Sequence, residues 1–176
     1  IENISTLGFR GEAIPSIASV SRCTLTTRKR DVDEGFSIQV NAGSLDATGS
    51  AGCPPGTSVE VRDLFCNVPA RRKFLKSDKV EYKHIIDEIH RIVLTNPSVA
   101  FKVVFDNEIK YQLLPENIHQ RIANVFGKKL NQNLVPIGVE TQIVNIKGFV
   151  AKPEMSQKNT SEQFFFVNNR YMYHPY

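Results

Sequence analysis

The sequence predicts an α+β fold, an antiparallel sheet with helices on one face, and three observations carry that prediction. Polar and apolar or β-branched residues alternate with period two from Arg22 to Arg28, through Phe36, Ile38 and Val40, and from Thr57 to Asp63, as strands with one buried face do. A helical stripe follows, with Tyr82, Ile85, Ile86, Ile89, Ile92 and Val93 on one face. Between the two, Pro69 marks a tight corner where one periodicity replaces the other. A meander of strands followed by one long amphipathic helix implies a helix packed on a sheet.

Gly8 and Gly11 bracket Phe9 and Arg10, and Ile14, Ile17, Ala18 and Val20 make a short apolar pattern, so a glycine-bearing loop leads into a short helix. Pro15 fits the first turn, where its missing N–H is not needed. Two antiparallel strands flank the charged turn from Lys29 to Gly35. The stretch from Ala42 to Pro55, rich in Gly, Ser, Ala and Pro, reads as a mobile loop. A third strand starts at Thr57. In the long helix Asp78 and Glu81 are expected to form a capping pair, and Asn96–Pro97 ends it. Asp106–Asn107 is the turn of a hairpin between Val99 to Phe105 and Ile109 to Leu114. Pro115, Glu116 and Asn117 break the pattern, and we place a domain boundary there, giving units 1–115 and 116–176. Beyond it come a helical stripe at Ile118, Ile122, Val125 and Phe126 stopped by Gly127, strands at Leu134 to Val139 and Ile143 to Val150, and a hairpin around Asn168–Asn169.

Composition narrows the class. Hydrophobic residues make up 41% and charged residues 23% of 176, values near globular averages. With 22 Lys and Arg against 18 Asp and Glu, a net charge of +4 favours an anionic partner. Cys23, Cys53 and Cys66 are widely spaced without a C-x-x-C, which argues against a disulfide framework or a zinc site and fits a reducing cytoplasm. His84, His90, His119 and His174 are scattered, and no metal site is expected. The run Arg71, Arg72, Lys73, Lys76 and Lys79 is compatible with a solvated helix face and with a phosphate-contacting surface alike. Tyr171, Tyr173 and Tyr176 beside Arg170 could stack on bases or simply pack as strand tyrosines do.

Two longer stretches are more specific. Gly56 to Lys76, GTSVEVRDLFCNVPARRKFLK, resembles the GT-x-V-x-V-x-x-LF-x-N-x-PAR-x-KFL signature of the MutL family of DNA mismatch repair ATPases, within the wider GHKL group. Gly8 to Ile14, GFRGEAI, resembles the same family's GFRGEAL lid motif and stands upstream of the first, as the family requires. Phe166 to Arg170, FVNNR, is similar to its FVNGR, with Asn169 where the family favours Gly. The resemblance implies a two-layer GHKL-type ATPase sandwich, of which residues 1–115 form the C-terminal part, followed by the start of a ribosomal S5-like transducer domain.

It also implies a site. Arg10, Gly11, Glu12, Ala13 and Ile14 are then lid residues whose backbone N–H groups meet a triphosphate, which agrees with a loop opening a helix. Thr57 matches a threonine whose hydroxyl joins an adenine-reading aspartate and a water; read by itself it is a β-branched strand residue. ATP and Mg2+ are the implied cofactors of the intact protein. The implied partners are weakly and sequence-tolerantly bound DNA, through Arg71, Arg72, Lys73 and Arg170, an ATP-dependent homodimer, and a mismatch-recognition protein of the MutS type with downstream repair factors. The implied location is cytoplasmic and nucleoid-associated, as in bacteria. The family's general-base glutamate, magnesium-holding asparagine and D-x-G-x-G aspartate are expected before Ile1, and its γ-phosphate lysine after Tyr176, so no catalytic residue is assigned in this chain and its own ATPase activity is left open. A rival reading is a basic nucleic-acid-binding or assembly module with a vestigial nucleotide site.

Overall fold

The structure, a computed structural model, describes residue 8, residues 11–156 and residues 162–173. The chain divides into two compact units, Ile1–Glu81 and Tyr82–Tyr176, each with its own architecture.

The first unit opens with helix α1 (Ala13–Ala18), which runs through Ser19 to Ser21 into strand β1 (Arg22–Arg28). Strands β2 (Gly35–Asn41), β3 (Ser44–Ala51) and β4 (Gly56–Arg62) complete an antiparallel sheet of order β3-β2-β1-β4. Register decides what each face carries. Cys23, Leu25 and Thr27 of β1 stand opposite Val40, Ile38 and Phe36 on one side and Val61, Val59 and Thr57 on the other. Since directly paired residues share a face, one face is apolar along most of its length and ends in two threonines. Phe36 and Val59 each retain 46% of their surface, so this face is only partly covered. The opposite face carries Arg22, Thr24, Thr26, Gln39, Glu60 and Arg62.

Strand β3 lies inside the stretch expected to be a loop. Ala42 (φ 50°) and Gly43 (φ 88°) both take left-handed backbone, the geometry of a two-residue hairpin turn whose twist matches the strands it joins. The strand is an edge strand with mostly exposed residues, so it has no buried face to generate hydrophobic alternation. After β4, Asp63 (φ 49°) and Phe65 (φ 63°) turn the chain sharply, and helix α2 (Pro69–Phe74) begins with its proline in the first turn.

Helix α3 (Asp78–Thr95) has its first turn in the first unit and the rest in the second. The expected Asp78–Glu81 pair gives way to a different cap. The Ser77 carbonyl accepts from the N–H groups of Val80 and Glu81, and the Glu81 carboxylate accepts from the Lys76 N–H at 2.8 Å. Val93 and Leu94 are buried while Ile85 (54% exposed) and Ile92 are not. The covered face is thus turned toward Leu94, because residues 86, 90, 93 and 94 fall on successive turns of one side.

The second unit continues with the hairpin β5 (Phe101–Phe105) and β6 (Glu108–Leu113), whose turn Asp106–Asn107 has φ of 48° and 65°. Helix α4 (Ile118–Phe126) is capped by Asn117, whose side-chain oxygen accepts from the Gln120 N–H at 2.9 Å, and it ends at Gly127 with φ 98°. A one-turn helix α5 (Lys128–Asn131) precedes the hairpins β7 (Leu134–Glu140) with β8 (Asn145–Ala151) and β9 (Phe165–Val167) with β10 (Arg170–Met172). Asn168 and Asn169 have φ of 49° and 62°, so the asparagine in the FVNNR motif meets the left-handed geometry for which glycine is otherwise preferred.

The heart of the second unit is a buried arginine. Arg121 has no exposed surface. Its Nε donates to Glu116 at 2.6 Å, and its terminal nitrogens donate to the carbonyls of Val93, Pro97, Val99 and Leu114. One guanidinium therefore ties the end of α3, both ends of the β5–β6 hairpin and the start of α4 into one piece.

Candidate functional site

Helix α1 and the Thr57 end of the sheet carry the two motifs. Gly11 has φ 66°, and a Cβ placed there would meet no atom within 4 Å. The glycine answers a backbone requirement and leaves the main chain open to a ligand. Gly11, Glu12, Ala13 and Ile14 are all exposed, and Glu12 makes no side-chain cap. The first helical donor is Ser16, bonded to the Glu12 carbonyl at 3.0 Å. Ala13 and Ile14 precede it, so helix geometry gives their N–H groups no acceptor. Arg10 lies outside the described residues, as do His174 and Tyr176.

Thr57 follows Gly56, whose φ of 130° requires glycine. Its hydroxyl lies 2.8 Å from that of Thr27, which is 3.2 Å from the Gly56 carbonyl oxygen. Each hydroxyl has one proton. If Thr27 gives its proton to the Gly56 carbonyl, Thr57 gives its own to Thr27 and keeps both of its lone pairs to accept. Thr27 was not legible as a site residue, because its role comes from a register that pairs positions thirty residues apart. Thr57 and the start of β1 are separated by five residues of strand, about 17 Å. Thr57 thus lies at the end of the β1–β4 pair away from α1, while Phe65 and Asn67 of the same motif lie against the C-terminal end of α1.

The basic candidates fall in both units. Arg71, Arg72 and Lys73 lie on α2, exposed, and among the described residues no carboxylate is within ion-pair distance of them. Arg170 lies on β10 in the second unit, half-buried. Tyr171 packs under the Arg91 guanidinium at 4.1 Å and against Phe164 and Phe166, as a strand tyrosine in a cluster does. Tyr173 is exposed.

His90 and His119 serve packing. His119 stacks on Phe149, and His90 shares a hydrogen bond of 2.9 Å with the Tyr111 hydroxyl beside Phe126. Burial pulls the His90 pKa below its usual value, partly opposed by Asp87 and Glu162, and burial pushes that of Tyr111 up. Among the described residues no three His, Cys, Asp or Glu side chains are grouped to hold a metal, and the three cysteines are free thiols. Among the described residues no helix is long and apolar enough to cross a membrane.

A family model described as "DNA mismatch repair protein, C-terminal domain" matches residues 122–176. The DNA mismatch repair protein MutL of Porphyromonas gingivalis is 42% identical over 174 residues, and that of Phocaeicola vulgatus 44% over 173. These alignments take in 99% and 98% of this chain but 28% of each relative, so the chain spans little more than a quarter of their length. The Aquifex aeolicus MutL ATPase domain complexed with ADP superposes with a TM-score of 0.80 at 33% identity, over 93% of this chain and 63% of that one.

Proposed function

This chain belongs to the MutL family of DNA mismatch repair proteins and has the fold of its ATPase domain, and from that premise we propose that it supplies the lid and the adenine-side threonine of an ATP-binding, ATP-hydrolysing region. In this reading the N–H groups from Gly11 to Ile14 meet the phosphates and the Thr57 hydroxyl, held beside Thr27, hydrogen-bonds at the adenine end, with the nucleotide over the apolar sheet face. The observation that carries it is the Gly56–Thr57–Thr27 arrangement. A glycine-only backbone and a cross-strand pair of hydroxyls place hydrogen-bonding groups at the edge of an incompletely covered apolar face. The likeness to an ADP-bound domain supports the same reading.

Residues 1–115 belong in this proposal to the ATPase domain and 116–176 to an S5-like transducer. The start of the family match at residue 122 and the Asn117 cap support a new element there. Nucleotide binding brings two copies together around DNA, contacted by Arg71, Arg72, Lys73 and Arg170, and so signals to a MutS-type protein and downstream factors. The described residues offer no group of three His, Cys, Asp or Glu side chains for Mg2+, which would enter with the nucleotide's phosphates. Here it would neutralise phosphate charge, while this chain's residues bind and orient the nucleotide.

Thr57→Val keeps the β-branched shape and removes the hydroxyl. In the full-length protein it is expected to weaken ADP binding, read by calorimetry, by about five- to tenfold, the worth of one hydrogen bond. An unchanged affinity would refute the assignment of Thr57.

A further inference from the structure

The two ends of α1 are built differently. Its N-terminal end is exposed. Its C-terminal end gives up four consecutive carbonyls to donors from two other loops. Gly43 N–H donates to Ala18 (3.0 Å) and Ala42 N–H to Ser21 (2.9 Å), both from the β2–β3 turn. Phe65 N–H donates to Val20 (2.6 Å) and the Asn67 side-chain amide to Ser19 (2.9 Å), both from the loop after β4. The buried Ser21 adds its own hydroxyl to the Ile17 carbonyl at 2.7 Å, and Asp63 faces Arg22 at 3.4 Å. A helix end normally leaves such carbonyls to water or to its own C-cap. Here they are tied down one after another, two by the β2–β3 turn and two by a loop in which Asp63 and Phe65 take left-handed backbone.

We propose that Asn67 is a positioning residue, the side-chain member of an anchor at Asp63–Asn67 that holds the C-terminal end of α1 as a fixed pivot for its exposed N-terminal end to meet phosphate. The proposal rests on the lid reading given under Proposed function and deepens it. It also accounts for the asparagine within the DLFCNVPARRKFL stretch, which the nucleotide contacts and the basic run leave unexplained. A pivot must be rigid for movement at the other end to be directed. Four carbonyls fixed by two loops give that rigidity, and Asn67 is the member that can be removed without altering any backbone.

The test uses the full-length protein and hydrogen exchange across residues 11–21 with and without the non-hydrolysable analogue AMPPNP. Asn67→Asp keeps the shape but turns a carboxylate oxygen toward the Ser19 carbonyl. Asn67→Ala removes the donor without adding charge and serves if the first variant does not fold. In the unmutated protein the analogue is expected to slow exchange from Gly11 to Ala18. In the variant, exchange at Ser19 and Val20 without nucleotide should rise roughly tenfold, as loss of one hydrogen bond allows. The nucleotide-induced slowing should be largely lost, while the melting temperature moves by no more than about 3 °C. Equal nucleotide-induced slowing in variant and unmutated protein overturns the anchor and leaves the nucleotide reading standing. Absence of any slowing in the unmutated protein overturns the lid reading and the pivot with it.

Discussion

Replacing Arg121 by Met tests how much of the second unit depends on one side chain. The guanidinium has no exposed surface, and the side chain of its partner Glu116 is 10% exposed. Removing the cation leaves that carboxylate without its partner, although Asn124 still donates to its other oxygen at 2.6 Å. It also strips a donor from four interior carbonyls, three of which share one nitrogen. That nitrogen has two protons, so the three interactions amount to about two hydrogen bonds. Breaking a buried pair costs about 3–5 kcal/mol, and each orphaned carbonyl adds to it unless water enters. In a unit of this size the total approaches the whole free energy of folding, commonly about 5–15 kcal/mol. The midpoint of thermal unfolding should fall by at least about 15 °C. The sequence supplies a clean reporter: it has no tryptophan and its five tyrosines, at 82, 111, 171, 173 and 176, all lie in the second unit. Near-UV circular dichroism of tyrosine therefore follows that unit alone. Adding Glu116→Gln to Arg121→Met should recover part of the loss, because the unpaired buried charge is then gone. A shift below about 1 kcal/mol in Arg121→Met, or no recovery in the double variant, would refute the view of Arg121 as the tie of this unit.

Two further outcomes are expected. Charge reversal at Arg72 or Arg170 in the full-length protein should weaken DNA binding without sequence preference and lower the slope of log K against log salt by about 0.9 for each phosphate that is no longer neutralised; unchanged slopes in both variants would remove these residues from the DNA surface. Burial holds the His90 pKa below its usual value, so the unfolded state binds the proton more readily. The second unit's stability should be full above about pH 6.5 and decline as pH falls from there through the lowered folded-state pKa. Urea midpoints between pH 7.5 and 5.5, followed by tyrosine dichroism, should show this slope in the unmutated chain and a flatter one in His90→Phe; equal slopes would count against it.

What could be read from the sequence was local. Strands β1, β2 and β4, the long helix, the turns at Asp106–Asn107 and Asn168–Asn169, and the glycine stop at residue 127 each carry their signal within a few residues. The site was legible only as two separate motifs. Joining Thr57 to Thr27, or Asn67 to Ser19, requires a register and a loop path that depend on residues 30 and 48 positions apart, and no pattern in the chain encodes them. Arg121 looked like one polar position on an apolar helix. Its importance comes from four carbonyls, which a sequence does not display because every residue has one. The boundary of the buried face on α3 was misplaced for a related reason: Leu94 and Ile92 are equally apolar, and only the helix's orientation decides between them.

The missed strand β3 bears on how this protein keeps company in a crowded cell. As an edge, it offers a line of open backbone donors and acceptors to any extended chain that passes. Serines, glycine and Asp46 on such a rail make a poor template: few apolar side chains interlock there, and a charge must be brought alongside. The register shift near Gln39 and Val40 bends the rail as well, so that a straight segment from another molecule cannot follow it. The residues that hide the strand from a reader of the sequence also discourage its use by other polypeptides, and a more β-prone β3 would invite fibrous growth from that edge.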